Sequence, residues 1–108
     1  MDESAFHERV DDLLMAIEDA IEDSGADIDY ETAGGILTLR FADGSQIIVN
    51  RQTPVRQVWV ATRSGGFHFD YDETRDAWLR EGDGAEFFAA LSAWCSEQAG
   101  EPVTLEPA

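Results

Sequence analysis

Carboxylates are the potential metal ligands that this sequence supplies in greatest number, and they are concentrated near its start. The 108 residues include 23 Asp plus Glu against 7 Arg and no Lys, a formal net charge of −16. Residues 1–31 hold twelve of these acids and one basic residue, Arg9, which makes a local charge of −11. Carboxylate oxygens select hard cations such as magnesium, calcium, manganese and iron. The expected partners are therefore cations and basic proteins.

Most of these carboxylates fall on a helix that the apolar pattern predicts over residues 4–23. Apolar residues recur there at spacings of three and four, which is typical of a helix with one buried face: Phe6, Val10, Leu13, Leu14, Ile17 and Ile21. The opposite face is acidic and comprises Glu8, Asp11, Asp12, Glu18, Asp19, Glu22 and Asp23. We expect Ser4 to cap the start of this helix and Gly25 to end it.

Further ligands lie on either side of the helix's acidic centre. His7 is one turn before Asp11 and could add a nitrogen ligand. Asp27, Asp29 and Glu31 alternate along the predicted first strand and so point to one side of it, where they could extend the carboxylate row. Because side chains on a convex helix converge poorly, we expect weak and exchangeable cation binding. The alternative is that the acidic stripe is only the solvated face of an amphipathic helix.

A period of two replaces the helical period after residue 26 and predicts an antiparallel meander. The predicted strands cover residues 27–32, 36–41, 45–50, 55–62, 67–72 and 77–80. Reversals are marked by Gly34 with Gly35, by Asp43 with Gly44, by Pro54, and by Gly65 with Gly66. A second amphipathic helix is predicted to begin at Asp83, which forms a capping-box pattern with Glu86, and to end at Gly100.

The order helix, sheet, helix predicts an α+β fold with a two-layer sandwich. Two amphipathic helices, one N-terminal and one C-terminal, would cover one face of an antiparallel sheet of about six strands. The chain from 1 to 108 is expected to form a single domain. The extended tail with Val103 and Leu105 is expected to lie back over the core.

The uncovered face of the sheet is the second candidate surface. If Val58 and Val60 face the helices, Trp59 stands on the open face near Asn50 and Arg51, and an exposed aromatic of this kind is a typical binding anchor. The default alternative is that Trp59 is a core residue. Residues 40–63 carry four Arg and one acid, a local charge of +3, so we expect the molecule to be electrically polarised.

Several classes of protein are disfavoured. Nucleic acid and anionic membranes are poor partners for a chain with a sequence pI near 4.1, and no apolar run approaches the roughly 18 residues of a membrane span. The first residues lack the pattern of a targeting peptide, so we expect a cytoplasmic protein. No nucleophile elbow, zinc-protease motif or phosphate loop is present, which argues against an enzyme. Cys95 and His68 are expected to be structural.

The sequence resembles the frataxin family, and its bacterial members in particular. The resemblance rests on the central run GSQIIVNRQTPVRQVWVATRSGGFHFD at residues 44–70, together with the acidic run FHERVDDLLMAIEDAIED at residues 6–23. The elements Asn-Arg-Gln, Pro, Gln-x-Trp and Gly-Gly-x-His-Phe occur together in order, and the resemblance covers nearly the whole chain.

The resemblance implies a non-enzymatic regulator of iron-sulfur cluster assembly that binds iron weakly and contacts the cysteine desulfurase and its scaffold protein. The implied metal ligands are Glu18, Asp19, Glu22 and Asp23, with His7, Asp11, Asp27 and Asp29 as further candidates. The implied partner contacts are Glu18, Asp19, Glu22, Asn50, Arg51 and Trp59. Other hard divalent cations are possible ligands, and a monomer is expected without metal.

Two other functions are compatible with the charge. The carboxylates could serve an iron storage protein or iron chaperone that acts through oligomers. A protein of this charge could also be an acidic inhibitor that mimics nucleic acid, although that function would leave the run at residues 44–70 unexplained.

Overall fold

One helix precedes a run of six strands in the chain, and a second helix follows it. The structure, a computed structural model, describes residues 1–107. Its elements are α1 (Glu3–Ser24), β1 (Ile28–Ala33), β2 (Ile36–Phe41), β3 (Gln46–Gln52), β4 (Gln57–Thr62), β5 (Gly65–Asp72), β6 (Ala77–Arg80) and α2 (Phe87–Ala99). A short 3-10 turn, Thr53–Val55, joins β3 to β4. No helix within residues 1–107 is long and apolar enough to cross a membrane.

The sheet is an open antiparallel meander in which each strand pairs with its neighbours in sequence, so that β1 and β6 form its edges. Its residues alternate between a buried and a solvent-facing side, as a period of two requires. In β3, for example, Ile47 and Val49 are fully buried while Ile48 and Asn50 face the other side. The predicted two-layer α+β fold is therefore confirmed.

The core lies between the buried side of the sheet and the apolar faces of both helices. All six apolar residues predicted to define the inner face of α1 are buried. From α2, Phe87, Leu91 and Cys95 are at most 1% exposed, and burying a large apolar side chain of this kind stabilises the fold by about 1.5–3 kcal/mol. The tail completes the core as expected, because Val103 and Leu105 are also buried.

Both helices begin at a different residue from the predicted one. Asp2 caps α1 in place of Ser4, since its carboxylate accepts a hydrogen bond of 2.7 Å from the backbone N–H of Ala5. The N-cap of α2 is Glu86, and residues 83–86 are not helical. The predicted cap, Asp83, is bound instead by the guanidinium of Arg80 through contacts of 2.9 and 2.7 Å.

The hairpin between β4 and β5 is tighter than predicted. Thr62 pairs with Gly65, so the connection consists of residues 63 and 64, and the Gly65-Gly66 pair belongs to β5. This register places Trp59 of β4 directly opposite His68 of β5. Two aromatic side chains are thereby brought together on the open face of the sheet.

Candidate functional site

Four carboxylates on the last two turns of α1 form an acidic ridge, defined here as Glu18, Asp19, Glu22 and Asp23. They are turned outward because the intervening Ile17, Ala20 and Ile21 are buried against the sheet. Asp19, Glu22 and Asp23 are exposed and Glu18 is half-buried. Within the described residues, none of the four pairs with an arginine or a histidine. The ridge therefore keeps its negative charge uncompensated.

Two hydroxyl groups of β1 hold the ridge in place. Tyr30 donates a hydrogen bond to a carboxylate oxygen of Glu22, and Thr32 donates one to Glu18. The hydrogen bond to Glu22, with burial and the nearby charges of Glu18 and Asp19, raises the pKa of Tyr30 to about 12. Tyr30 therefore remains a neutral donor, and its perturbed pKa reflects the negative potential of the ridge.

The carboxylates of the first strand do not continue the ridge. Tyr30 lies opposite the buried Leu39, whereas Asp29 lies opposite the exposed Arg40. Asp29 and Glu31 therefore point to the open face, where Glu31 pairs with Arg40 at 3.2 Å. Asp27 is exposed and precedes the strand. The predicted extension of the row was wrong because the alternating residues on the helix side of β1 are Tyr30 and Thr32.

The first half of α1 carries a different arrangement, in which an arginine from β3 reaches under the helix. The guanidinium of Arg51 donates to Asp11 Oδ1 at 2.7 Å and to His7 Nδ1 at 3.0 Å. Only 15% of the Arg51 side chain is exposed. The group also lies against the β1–β2 turn, since a Cβ added at Gly35 would be 3.4 Å from it. Arg51 thus joins α1, β3 and this turn.

This contact determines which nitrogen of His7 is available to a metal. Because a guanidinium can only donate, Nδ1 of His7 is the acceptor, and in the neutral ring Nε2 carries the proton. Nε2 lies 3.8 Å from Glu3 Oε1. A metal needs an unprotonated nitrogen, so His7 could act as a ligand only after losing its bond to Arg51.

The predicted ligands do not converge on one point. Across residues 1–107, no three His, Cys, Asp or Glu side chains are close enough to hold a metal ion together. Arg51 holds His7 and Asp11, and β1 holds Glu18 and Glu22. Asp29 points to the open face, and Asp27 precedes β1. The chemistry available to a cation is therefore contact with one or two ridge carboxylates at a time.

The second candidate surface is an open-face patch composed of Asn50, Gln57, Trp59 and His68. Trp59 is 37% exposed, which agrees with its predicted position outside the core. Its ring stacks on His68 with the centroids 4.3 Å apart and the planes 11° from parallel. Its indole N–H donates to Gln57 Oε1 at 3.0 Å. Asn50 is the cross-strand neighbour of Trp59 on β3.

The structure separates the predicted pair of Asn50 and Arg51. Successive residues of a strand face opposite sides, so Asn50 lies on the open face and Arg51 lies under α1. Arg51 is thus placed to position the helix, and it does not share a surface with Trp59.

The predicted electrical polarity is also weaker than the +3 of residues 40–63 suggested. Arg40 pairs with Glu31, Arg51 with Asp11, and Arg63 with Asp43 at 2.9 Å. The side chain of Arg56 donates to the backbone carbonyl of Thr53. Three of the four arginines are thus paired with carboxylates, and the described residues of the sheet present no cluster of unpaired arginines.

The sequence analysis missed three contacts of these surfaces. Two are the hydrogen bonds of Tyr30 and Thr32 to the acidic ridge, and the third is the stack of His68 on Trp59. The hydroxyls of Tyr30 and Thr32 alternate with Asp29 and Glu31, so strict alternation was the signal that places them beside the helix. The stack of His68 on Trp59 depends on the register of β4 and β5. That register could not be predicted correctly because the turn between these strands was placed at Gly65 and Gly66.

Comparisons with known proteins agree with this architecture. The family model for the frataxin-like domain matches residues 1–101. The iron-sulfur cluster assembly protein CyaY of Pseudomonas aeruginosa is 52% identical over 103 residues, which cover 95% of each chain. The protein of the same name from Vibrio vulnificus is 48% identical over 95% of this chain and 97% of its own.

A solved structure supports the same relationship. The frataxin from Psychromonas ingrahamii superimposes with a TM-score of 0.89 at 42% identity, covering 96% of this chain and 97% of that one. Together these matches establish that the chain belongs to the frataxin-like family.

Proposed function

We propose that this protein is a non-enzymatic regulator of iron-sulfur cluster assembly that binds iron weakly through the acidic ridge and contacts the cysteine desulfurase and its scaffold protein. The name of its relatives supports the process. The observation that carries the more specific proposal is the ridge itself, where four carboxylates project from α1 without a basic partner in the described chain.

The ridge suits a cation that binds weakly and exchanges. Its ligands are hard oxygens, which accept ferrous iron and also manganese or calcium. No three of the protein's potential ligands converge within residues 1–107, so each ion would keep most of its water. Repulsion among the carboxylates favours any cation that approaches.

Cation binding is tested by melting temperature. A ligand that binds only the native state raises the melting temperature as its concentration rises. We expect ferrous iron under anaerobic conditions to raise it, and Glu18→Gln with Glu22→Gln to reduce the shift. His7→Gln serves as the matched control and should leave the shift unchanged, because Nδ1 of His7 is occupied by Arg51. Absence of any shift in the wild type would refute cation binding at the ridge.

The same charges would steer docking to a basic surface of the desulfurase. Binding should weaken as salt rises, because exposed charges are screened. Charge reversal at Glu18, Asp19 and Glu22 to Lys should abolish measurable binding in isothermal calorimetry. A control with the same change in net charge reverses three exposed acids outside the ridge: Glu73, Glu101 and Glu106. Equal losses in both variants would mean that net charge, and not the ridge, governs docking.

The open-face patch is proposed as the contact for a second partner surface. Trp59→Ala should weaken assembly with the desulfurase and scaffold and cost little stability, because over a third of the side chain is already exposed. A large loss of stability with unchanged binding would assign Trp59 to the fold.

Sedimentation with and without ferrous iron tests the storage alternative, which requires that iron produce oligomers.

A further inference from the structure

Trp59 and three other side chains, His68, Gln57 and Glu81, form a closed ring of contacts on the open face. Trp59 stacks on His68 and donates to Gln57 Oε1. The amide nitrogen of Gln57 lies 3.4 Å from Glu81 Oε1, and the other oxygen of Glu81 lies 3.4 Å from His68 Nδ1. Each member therefore touches two others. The docking role proposed for the open-face patch does not say what His68 contributes to it, and it does not include Glu81.

His68 is held from its backbone as well as from its side chain. It occupies the strand position directly opposite Trp59. The backbone N–H of Glu81, which follows β6, donates to the carbonyl of His68 at 2.8 Å. This bond brings the end of β6 beside β5 and places the carboxylate of Glu81 at the imidazole. The imidazole therefore has two contacts within the protein, the indole of Trp59 and the carboxylate of Glu81.

The consequence for Trp59 is that one face and one edge of the indole are already occupied. His68 covers one face and Gln57 satisfies the N–H, while 37% of Trp59 remains exposed to solvent. An exposed aromatic side chain without such contacts would have to be immobilised when a partner binds, which costs free energy at that step. Stacked aromatic pairs supply this order in advance.

We propose that His68 is a positioning residue whose ring, stacked on the indole, holds Trp59 in the conformation in which it docks on its partner. The proposal rests on the function proposed above, in which Trp59 is a partner contact. Because His68 acts through its stack on the indole, phenylalanine, which has a flat ring without nitrogen atoms, should perform the same role at this position.

The experiment is a double-mutant cycle in the full chain with calorimetric binding to the desulfurase–scaffold complex. His68→Ala should weaken binding about three- to tenfold, the cost of ordering one side chain, while His68→Phe should stay within about twofold of the wild type. In a Trp59→Ala background, His68→Ala should add nothing. Gln46→Ala is the control, since it truncates an exposed side chain on β3 that does not touch Trp59.

A spectroscopic measurement on the free protein separates positioning from direct contact. The other two tryptophans, Trp78 and Trp94, are buried, so acrylamide quenching reports mainly on Trp59. Quenching should increase in His68→Ala and return to the wild-type level in His68→Phe. The outcomes are distinguishable: if Trp59→Ala binds normally, the proposed function fails. If Trp59→Ala binds weakly but His68→Ala binds normally, the positioning role is refuted. It is also refuted if His68→Ala weakens binding by its full factor in the Trp59→Ala background.

Discussion

Replacement of Arg51 by Met should destabilise the protein although it removes only a polar head group. Arg51 donates to Asp11 at 2.7 Å and to His7 at 3.0 Å with 15% of its side chain exposed. Hydrogen bonds of charged groups contribute about 1.5–3 kcal/mol when shielded. The side chain of Asp11 is 65% exposed, however, so solvent screens part of the contribution of its hydrogen bond to stability. We expect a loss of about 1–2 kcal/mol in the free energy of unfolding.

The assay is urea unfolding followed by far-ultraviolet circular dichroism, with a thermal melt as a second measurement. A loss of about 1–2 kcal/mol corresponds to a fall of roughly 5–15 °C in melting temperature for a domain of this size. Arg40→Met is the matched control, because its pair with Glu31 has side chains 46% and 61% exposed. Exposed pairs contribute about 0–1 kcal/mol, so this variant should lose less than about half as much as Arg51→Met.

Two results would refute this reasoning. Equal losses in both variants would show that the enclosure of Arg51 under α1 has no energetic consequence. Wild-type stability in Arg51→Met, combined with weaker binding to the desulfurase, would return Arg51 to the partner role implied by the family resemblance.

Three other predictions follow from buried or hydrogen-bonded polar groups. Glu22→Gln should lower the pKa of Tyr30 from about 12 toward the ordinary tyrosine value of 10.0, as measured by tyrosinate absorbance. Because the folded-state pKa is the higher one, this contribution to stability is complete below pH 10 and is lost as the pH rises to about 12, so Tyr30→Phe should flatten that loss. Burial raises the pKa of Cys95 to about 12, so a thiol reagent should label it only as fast as the protein unfolds; rapid labelling in native buffer would contradict this. Gln98→Leu should cost about 2 kcal/mol, because two backbone groups lose a buried partner; a change below about 0.5 kcal/mol would mean that water replaces the amide.

Periodicity was sufficient to predict the layers of the fold. The spacing of the apolar residues in α1 selected the inner face correctly, since a 3.6-residue repeat leaves one orientation that buries them all. The same argument placed Trp59 on the open face from the valines on either side of it. These predictions succeed because burial of apolar surface dominates the orientation of an element.

The residue that caps each helix could not be predicted from the sequence, because several polar groups compete for the same hydrogen bonds. Asp83 has the residue type of a helix cap, but Arg80 binds its carboxylate, and Glu86 takes the capping role three residues later. Asp2 and Ser4 are both suitable caps, and nothing in their spacing to Phe6 decides between them. Local signals of similar strength are resolved by tertiary contacts.

The error in placing Arg51 had a different origin. Ile47, Val49 and Arg51 share one side of β3, but the predicted strand ended at residue 50, so its alternation was not extended to Arg51. Grouping it with Asn50 as neighbours in sequence overlooked the change of face. What the sequence could not supply is the pair of acceptors, His7 and Asp11, which lie 44 and 40 positions before Arg51.

The order of strands in the sheet also has a consequence for the path by which the chain folds. Every strand pairs only with its neighbours in sequence, so each pairing closes a short loop at a small entropic cost. Docking of α1 across the completed hairpins joins residues that are far apart in the chain, and we expect it to follow hairpin formation. Substitutions in the hairpins would then slow folding, whereas loss of the Arg51 contact would chiefly accelerate unfolding. The attachment of the acidic helix is thus expected to determine how long the native state persists.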